Sequence, residues 1–346
     1  MIHLEHLDIE FPGFRVDDVN LHVEEGEFFA LIGPTGSGKS LVLESIAGLV
    51  RQARCRLMVQ GEDMSHLAPE KRGIGIVYQD NALFPHLNVM QNVSFGLRYY
   101  KGNRQEARDR VERLIDMLGL RRLVHRSVAR LSGGEKQRIS IARALSVNPR
   151  VLLLDEPLSA LDPNFREEIR LVLKELHETL GTTFFMVTHD FSEAMFLANR
   201  VGVMHRGKLE QIGETRDVFC RPNTPFVAKF VGMKNVFSAE FEGKMAHFDA
   251  LSCALEHTPA LGAEYLALRP EDIELYPRGA KIPEHFAHFS GKLVGIQDLG
   301  FVFELAAQVA GLEFRTILDR KRMLASSLCP GDEVQIAFPP SAVHCF

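Results

Sequence analysis

The chain has 346 residues, a formal net charge of −5, 46% hydrophobic and 25% charged residues, and a mean hydropathy of −0.03. These values lie near the globular average and exclude a mainly disordered chain, a collagen-like chain and a small disulfide scaffold. No run approaches the ~18 apolar residues that span a bilayer, no basic and then apolar leader opens the sequence, and no basic excess marks a nucleic-acid backbone as the main partner. The chain is therefore expected not to cross a membrane by itself.

At ~150 residues per domain the length suggests two domains. The charge divides the same way. Residues 1–234 carry 31 Lys+Arg and 30 Asp+Glu, whereas residues 235–346 carry 9 and 15. The boundary is expected near residue 235. The five cysteines, Cys55, Cys220, Cys253, Cys329 and Cys345, are an odd number with no C-x-x-C pair. That favours a reducing compartment over zinc or disulfides.

In chain order, Ile2, Leu4, Leu7 and Ile9, then Val19, Leu21 and Val23, alternate with polar residues and predict two short antiparallel strands. Phe28–Ile32 is a continuous apolar run, the pattern of a strand buried on both faces. A glycine-rich loop and a helix over 40–49 follow. Helical periodicity marks 104–119, a segment from Leu131 to Ser146, and 165–180, with apolar strands at 151–154 and 183–187 between them. Alternating strands and helices predict an α/β domain with a mainly parallel core sheet. Beyond residue 235 the texture changes to short alternating runs at 265–268, 291–296, 301–305 and 334–338, as in a small β-barrel or sandwich.

Three segments carry chemistry. Gly33-Pro34-Thr35-Gly36-Ser37-Gly38-Lys39-Ser40 matches G-x-x-x-x-G-K-[ST], a pattern expected about 0.005 times by chance in this composition. Its glycines let backbone N–H groups approach phosphate oxygens, and the next helix points its positive dipole end at the same anion. Lys39 is placed to meet β- and γ-phosphates and the Ser40 hydroxyl to bind Mg²⁺. Second, Val151–Leu154 ends in Asp155-Glu156. Asp155 suits Mg²⁺ and Glu156 suits a general base on water. Successive strand residues face opposite ways, so the strand end must turn for both acids to reach one site. Third, Ser132-Gly133-Gly134 opens an apolar helix and makes a second phosphate cradle. A second cradle makes sense if it faces the nucleotide of another copy, giving a head-to-tail pair with two ATP molecules between subunits.

Together these motifs resemble the ATPase subunits of ABC transporters across residues 1–234. The resemblance implies a P-loop ABC ATPase domain, α/β with a mainly parallel core sheet and an antiparallel β part. It also implies ATP and Mg²⁺ as cofactors. Gln79 falls at the family's Q-loop, which touches Mg²⁺ and the transmembrane partner. Ser159-Ala160-Leu161-Asp162 looks like the D-loop, and His189 in Val187-Thr188-His189-Asp190 like the switch histidine that contacts the γ-phosphate. Adenine stacking falls to Phe11 or Phe14, and the sequence does not choose between them. Glu135 stands where many importer signatures carry glutamine, and the basic run at 51–56 departs from the family's usual turn.

Residues 70–87 and Leu268-Arg269-Pro270-Glu271-Asp272-Ile273 resemble prokaryotic importers, so that residues 235–346 look like a small all-β TOBE/OB-like accessory domain. Leu41-Val42-Leu43-Glu44 is similar to molybdate/tungstate-type ATPases, with sulfate, iron(III) and polyamine uptake as alternatives. The resemblance implies a homodimer at the cytoplasmic face of the inner membrane, bound to integral permease subunits. A solute-binding protein is an indirect partner, and nucleic acid is not a partner. A soluble ABC ATPase acting on DNA or ribosomes is the competing class. The absence of heptads and of a second cassette disfavours it. The tail is either a solute sensor or a passive dimer spacer.

Overall fold

The computed structural model describes residues 2–50, 53–100, 102–326 and 328–346. Arg51 and Gln52 of the basic run lie outside the described residues. Two compact units are present, residues 1–218 and 219–346. The division falls earlier than the composition shift at 234/235. Arg269 supplies a physical reason, because its guanidinium lies 3.4 Å over the Phe219 ring and donates to the Val231 carbonyl. Ala228 and Met233 pack with Ala267. Residues 219–234 thus belong to the packing of the second unit.

The first unit contains two sheets. β1 (Ile2–Phe11), β2 (Phe14–Val23), β4 (Arg54–Val59) and β5 (Glu62–Asp63) form an antiparallel sheet of order β2-β1-β4-β5. The predicted N-terminal hairpin is β1–β2, closed at Phe11↔Phe14. The core sheet uses β3 (Phe28–Ile32), β6 (Ile74–Val77), β7 (Val151–Asp155), β8 (Thr183–Thr188), β9 (Arg200–His205) and β10 (Lys208–Glu214), in the order β10-β9-β3-β8-β7-β6. All pairs are parallel except the edge hairpin β9–β10. Every residue of β3 and β8 is buried. Phe28 and Phe29 pair in register with Phe184 and Phe185, with ring centroids 5.3 and 5.4 Å apart. Apolar residues on both strand faces are what a sheet covered on both sides requires.

The helices follow from their caps and stripes. α1 (Lys39–Ala47) starts at Gly38, and α2 (Val89–Val93) carries an Asn88–Gln91 capping box. α3 (Arg104–Met117) is capped by Asn103 and buries Ala107, Val111, Leu114 and Ile115. α4 (Gly133–Ser146) begins at Ser132. α5 (Pro163–Leu180) has Pro at its first position and Gly181 after its end, and it buries Ile169, Leu173 and Leu176 at i, i+4 and i+7. α6 (Phe191–Leu197) is capped by Asp190.

The second unit holds antiparallel sheets of three, three and five strands, around Phe248, Phe314, Phe338, Leu293, Leu305 and Ile336. This agrees with the all-β expectation. Asn235 is fully buried. It donates to the Arg315 carbonyl at 2.9 Å and accepts from the Arg315 amide at 2.6 Å, pinning two strands together. The run expected at 301–305 is a strand only from Val302 to Val309. Phe301 is 93% exposed, because Asp298 accepts from the Gly300 amide and turns the chain there.

Burial pushes the Cys253 thiol up to about 12, while Cys220 and Cys329 are exposed. Maleimide labelling of the folded chain, mapped by mass spectrometry, should modify Cys220 and Cys329 and spare Cys253 until denaturant is added. Early labelling of Cys253 would contradict this packing.

Candidate functional site

The parallel strands β3, β6, β7 and β8 end on one edge of the core sheet, where α/β folds bind ligands. The glycine-rich loop joins β3 to α1 at this edge. Gly38 has φ +103°, and a Cβ there would meet the Phe14 ring at 3.1 Å. A Cβ on Gly33 would meet the Met204 carbonyl oxygen at 2.2 Å. A side chain is strained at both positions, so the loop presents bare backbone there. Lys39 is 5% exposed, and its Nζ donates to the Gly33 and Pro34 carbonyls at 2.9 and 3.0 Å. Burial lowers its pKa, and the nearby Glu156 and Asp155 carboxyls oppose that shift. The Ser37 hydroxyl is buried and has no partner among the described residues.

Asp155 is the last residue of β7. Its Oδ1 accepts from the Ser40 hydroxyl at 3.1 Å. Burial pushes this carboxyl above the usual range, the Ser40 bond opposes, Glu156 adds and Lys39 opposes. The required turn is present, since Glu156 has φ +43° and leaves the strand. Its amide donates to the Val187 carbonyl at 2.9 Å. Its Oε1 lies 3.2 Å from His189 Nδ1. A left-handed non-glycine residue is strained, and such strain concentrates at functional sites.

A pocket beside the loop is lined by Phe14, Thr35, Gly36, Gly38, Lys39, Ser40, Leu41 and Glu156. It brings together the loop, the strand-end acid and one of the two candidate aromatics. Phe11 and Phe14 both pack against the first unit's core, and of the two Phe14 lines this pocket. Gln79 stands exposed beyond the end of β6. Among the described residues no hydrogen bond joins it to Asp155, Glu156 or His189. Ser132, Gly133 and Gly134 do not line this pocket either. They form the start of α4 as a capping box, in which Ser132 Oγ accepts from the Glu135 amide at 3.2 Å and the Ser132 amide donates to Glu135 Oε2 at 2.7 Å. Ser132 and Gly133 are exposed. Two residues missed by the sequence reading, Thr188 and Glu193, hydrogen-bond beside His189 at 2.7 Å. The only available signal was an acid in the first turn of a short helix after that histidine.

The donor set fits a nucleotide and its ion: bare loop amides, a buried lysine, an orphaned buried hydroxyl, and a hydroxyl–carboxylate oxygen pair suited to a hard cation. Among the described residues no cluster of three or more His, Cys, Asp or Glu could hold a metal alone. Fold and site together define a P-loop nucleotide-binding protein.

Known proteins agree. Residues 16–159 match the family described as ABC transporter, and residues 266–346 match the TOBE domain. The molybdate/tungstate import ATP-binding protein WtpC of Pyrococcus horikoshii is 37% identical over 346 residues, all of both chains. The spermidine/putrescine import ATP-binding protein PotA of Trichormus variabilis is 41% identical over 82% of this chain and 77% of that one. The dimeric post-hydrolysis structure of the ATP-binding cassette MJ0796 bound to ADP and Pi covers 62% of this chain and 99% of that chain, at 33% identity and a TM-score of 0.55. The chain belongs to the ATP-binding subunits of ABC transporters and is an ATPase. No helix among the described residues is long and apolar enough to cross a membrane.

Asp155 offers a test of the site's electrostatics. A carboxyl whose pKa is raised by folding is held best when protonated. Its ionised form weakens the fold, and that cost grows as pH rises past the unfolded value of about 4. Asp155→Asn keeps the Ser40 acceptor and removes the charge. Calorimetry should show a higher Tm than wild type at neutral pH and a shrinking difference in acid. A lower neutral Tm would mean that the carboxylate is net stabilising.

Proposed function

We propose that the chain is the ATP-hydrolysing subunit of an importer, acting as a homodimer on integral permease subunits at the cytoplasmic face of the membrane. The observation that carries the reading is the Glu156–His189 contact at 3.2 Å beside the phosphate loop. The amides of Gly33 to Lys39 and the Lys39 ammonium hold the β- and γ-phosphates, and Ser40 and Asp155 hold Mg²⁺. Bound there, the ion neutralises charge developing on the phosphate oxygens. Glu156 accepts a proton from the attacking water. Its carboxylate also holds His189 through Nδ1, so that Nε2 is the atom left for the γ-phosphate. Gln79, at the end of the neighbouring strand, senses the ion and the permease.

Ser132, Gly133 and Gly134 complete the site of the partner copy. Support comes from their exposed helix start, their absence from this chain's own pocket, and the dimeric relative. Phe14 stacks on adenine, a reading supported by its place in the pocket wall. The solute is an oxyanion of the molybdate/tungstate kind, supported by full-length similarity to the WtpC protein. Polyamine uptake is the second reading, supported by the PotA relative. Similarity to importer subunits also supports a solute-binding protein as indirect partner, and the lack of basic excess supports no role for nucleic acid.

Glu156→Gln should bind ATP as wild type does and lose at least ~100-fold in kcat. Unchanged turnover would remove Glu156 as base. Ser132→Arg should abolish turnover and leave nucleotide affinity of the monomer intact, and wild-type turnover would exclude the partner-site role. Phe14→Ala should weaken ATP binding about tenfold by fluorescence titration while Phe11→Ala does not. The reverse result would assign the stack to Phe11.

A further inference from the structure

His189 is 49% exposed at its side chain. The ring is only half packed, and beyond the Glu156 carboxylate its direction comes from the backbone on either side. That backbone is held from beneath. Thr188 is 2% exposed, and its hydroxyl donates to Glu193 Oε2 at 2.7 Å while accepting the Asp190 amide at 3.0 Å. One hydroxyl therefore ties the residue before His189, the residue after it, and the first turn of α6. Asp190 in turn caps α6 by accepting from the Ser192 amide at 2.8 Å. On the preceding side, the Val187 carbonyl holds the Glu156 amide.

Glu193 is 3% exposed. Burial pushes its carboxyl above the usual range, the Thr188 bond opposes this, Asp190 adds to it, and Arg166 and His189 oppose it. A buried carboxyl is costly to keep. The catalytic scheme above assigns this one no task, yet it sits under the catalytic turn.

We propose that Glu193 and Thr188 are positioning residues of the hydrolytic site: the Glu193 carboxyl, through the Thr188 hydroxyl, clamps the turn that presents His189 to Glu156. The proposal rests on the reading of His189 as the γ-phosphate contact. Neither residue lines the pocket beside the phosphate loop. Their effect is confined to the geometry of one imidazole, and small misplacements of a catalytic group are expensive.

The test uses the full chain, with steady-state ATPase, nucleotide titration and thermal melting. Thr188→Val removes the hydroxyl at nearly constant volume and should lower kcat about tenfold with KM for ATP within about twofold. Thr188→Ser restores the hydroxyl and should recover most of kcat. In a His189→Ala background, Thr188→Val should cost nothing further, because both act through one ring. If Thr188→Val melts below the assay temperature, Glu193 carries the test. Glu193→Gln keeps an acceptor oxygen and should stay within about threefold of wild type, whereas Glu193→Leu should lose about tenfold in kcat. Wild-type kcat in Thr188→Val or Glu193→Leu, with His189→Ala lowered at least ~10-fold but measurable, would overturn the clamp alone. Full turnover in His189→Ala would overturn the reading of His189 and the clamp with it. Equal losses in Thr188→Ser and Thr188→Val would also overturn the clamp.

Discussion

The Glu156 amide donates to the Val187 carbonyl at 2.9 Å, at the last β7–β8 register pair, Asp155↔Val187. Two consecutive acids on a regular strand point to opposite faces. This bond belongs to the Asp155↔Val187 pair, and the left-handed backbone of Glu156 then ends the alternation. Asp155 keeps the strand direction and meets Ser40, while Glu156 swings towards His189. The different directions of the two carboxyls thus depend on the left-handed turn at Glu156.

Around that point the fold is arranged to tolerate charge. Lys39 and Asp155 are both drawn from water, and burial moves each towards its neutral form. Each offsets part of the other's cost, and the Gly33 and Pro34 carbonyls accept hydrogen bonds from the Lys39 ammonium. The apolar strands β3 and β8 beneath fix the edge on which these groups stand. Their paired phenylalanines leave little freedom for the strand ends to shift.

Much of this was legible in the sequence. The phosphate loop, the Asp155-Glu156 strand end and the Ser132 helix start each depend on residues adjacent in the chain, and local chemistry suffices to read them. The parallel core and the β-rich second unit followed from hydrophobic period. The limits of local reading show at Phe301, where an apolar residue looked like strand and is a turn fixed by Asp298 and Gly300. Residues 219–234 precede the composition shift and pack, through Arg269, with the second unit.

By itself the sequence determined the phosphate chemistry, the pair of strand-end acids and the class of fold, because those rest on residue types at short spacing. Only the tertiary structure decided which of Phe11 and Phe14 borders the loop, how both acids reach one edge, and which groups stand beside His189. These depend on where separate elements meet: Phe14 of β2 beside the loop, and Glu156 past the end of β7 beside His189 past the end of β8. Contacts of that kind are set by packing and leave no periodic trace along the chain.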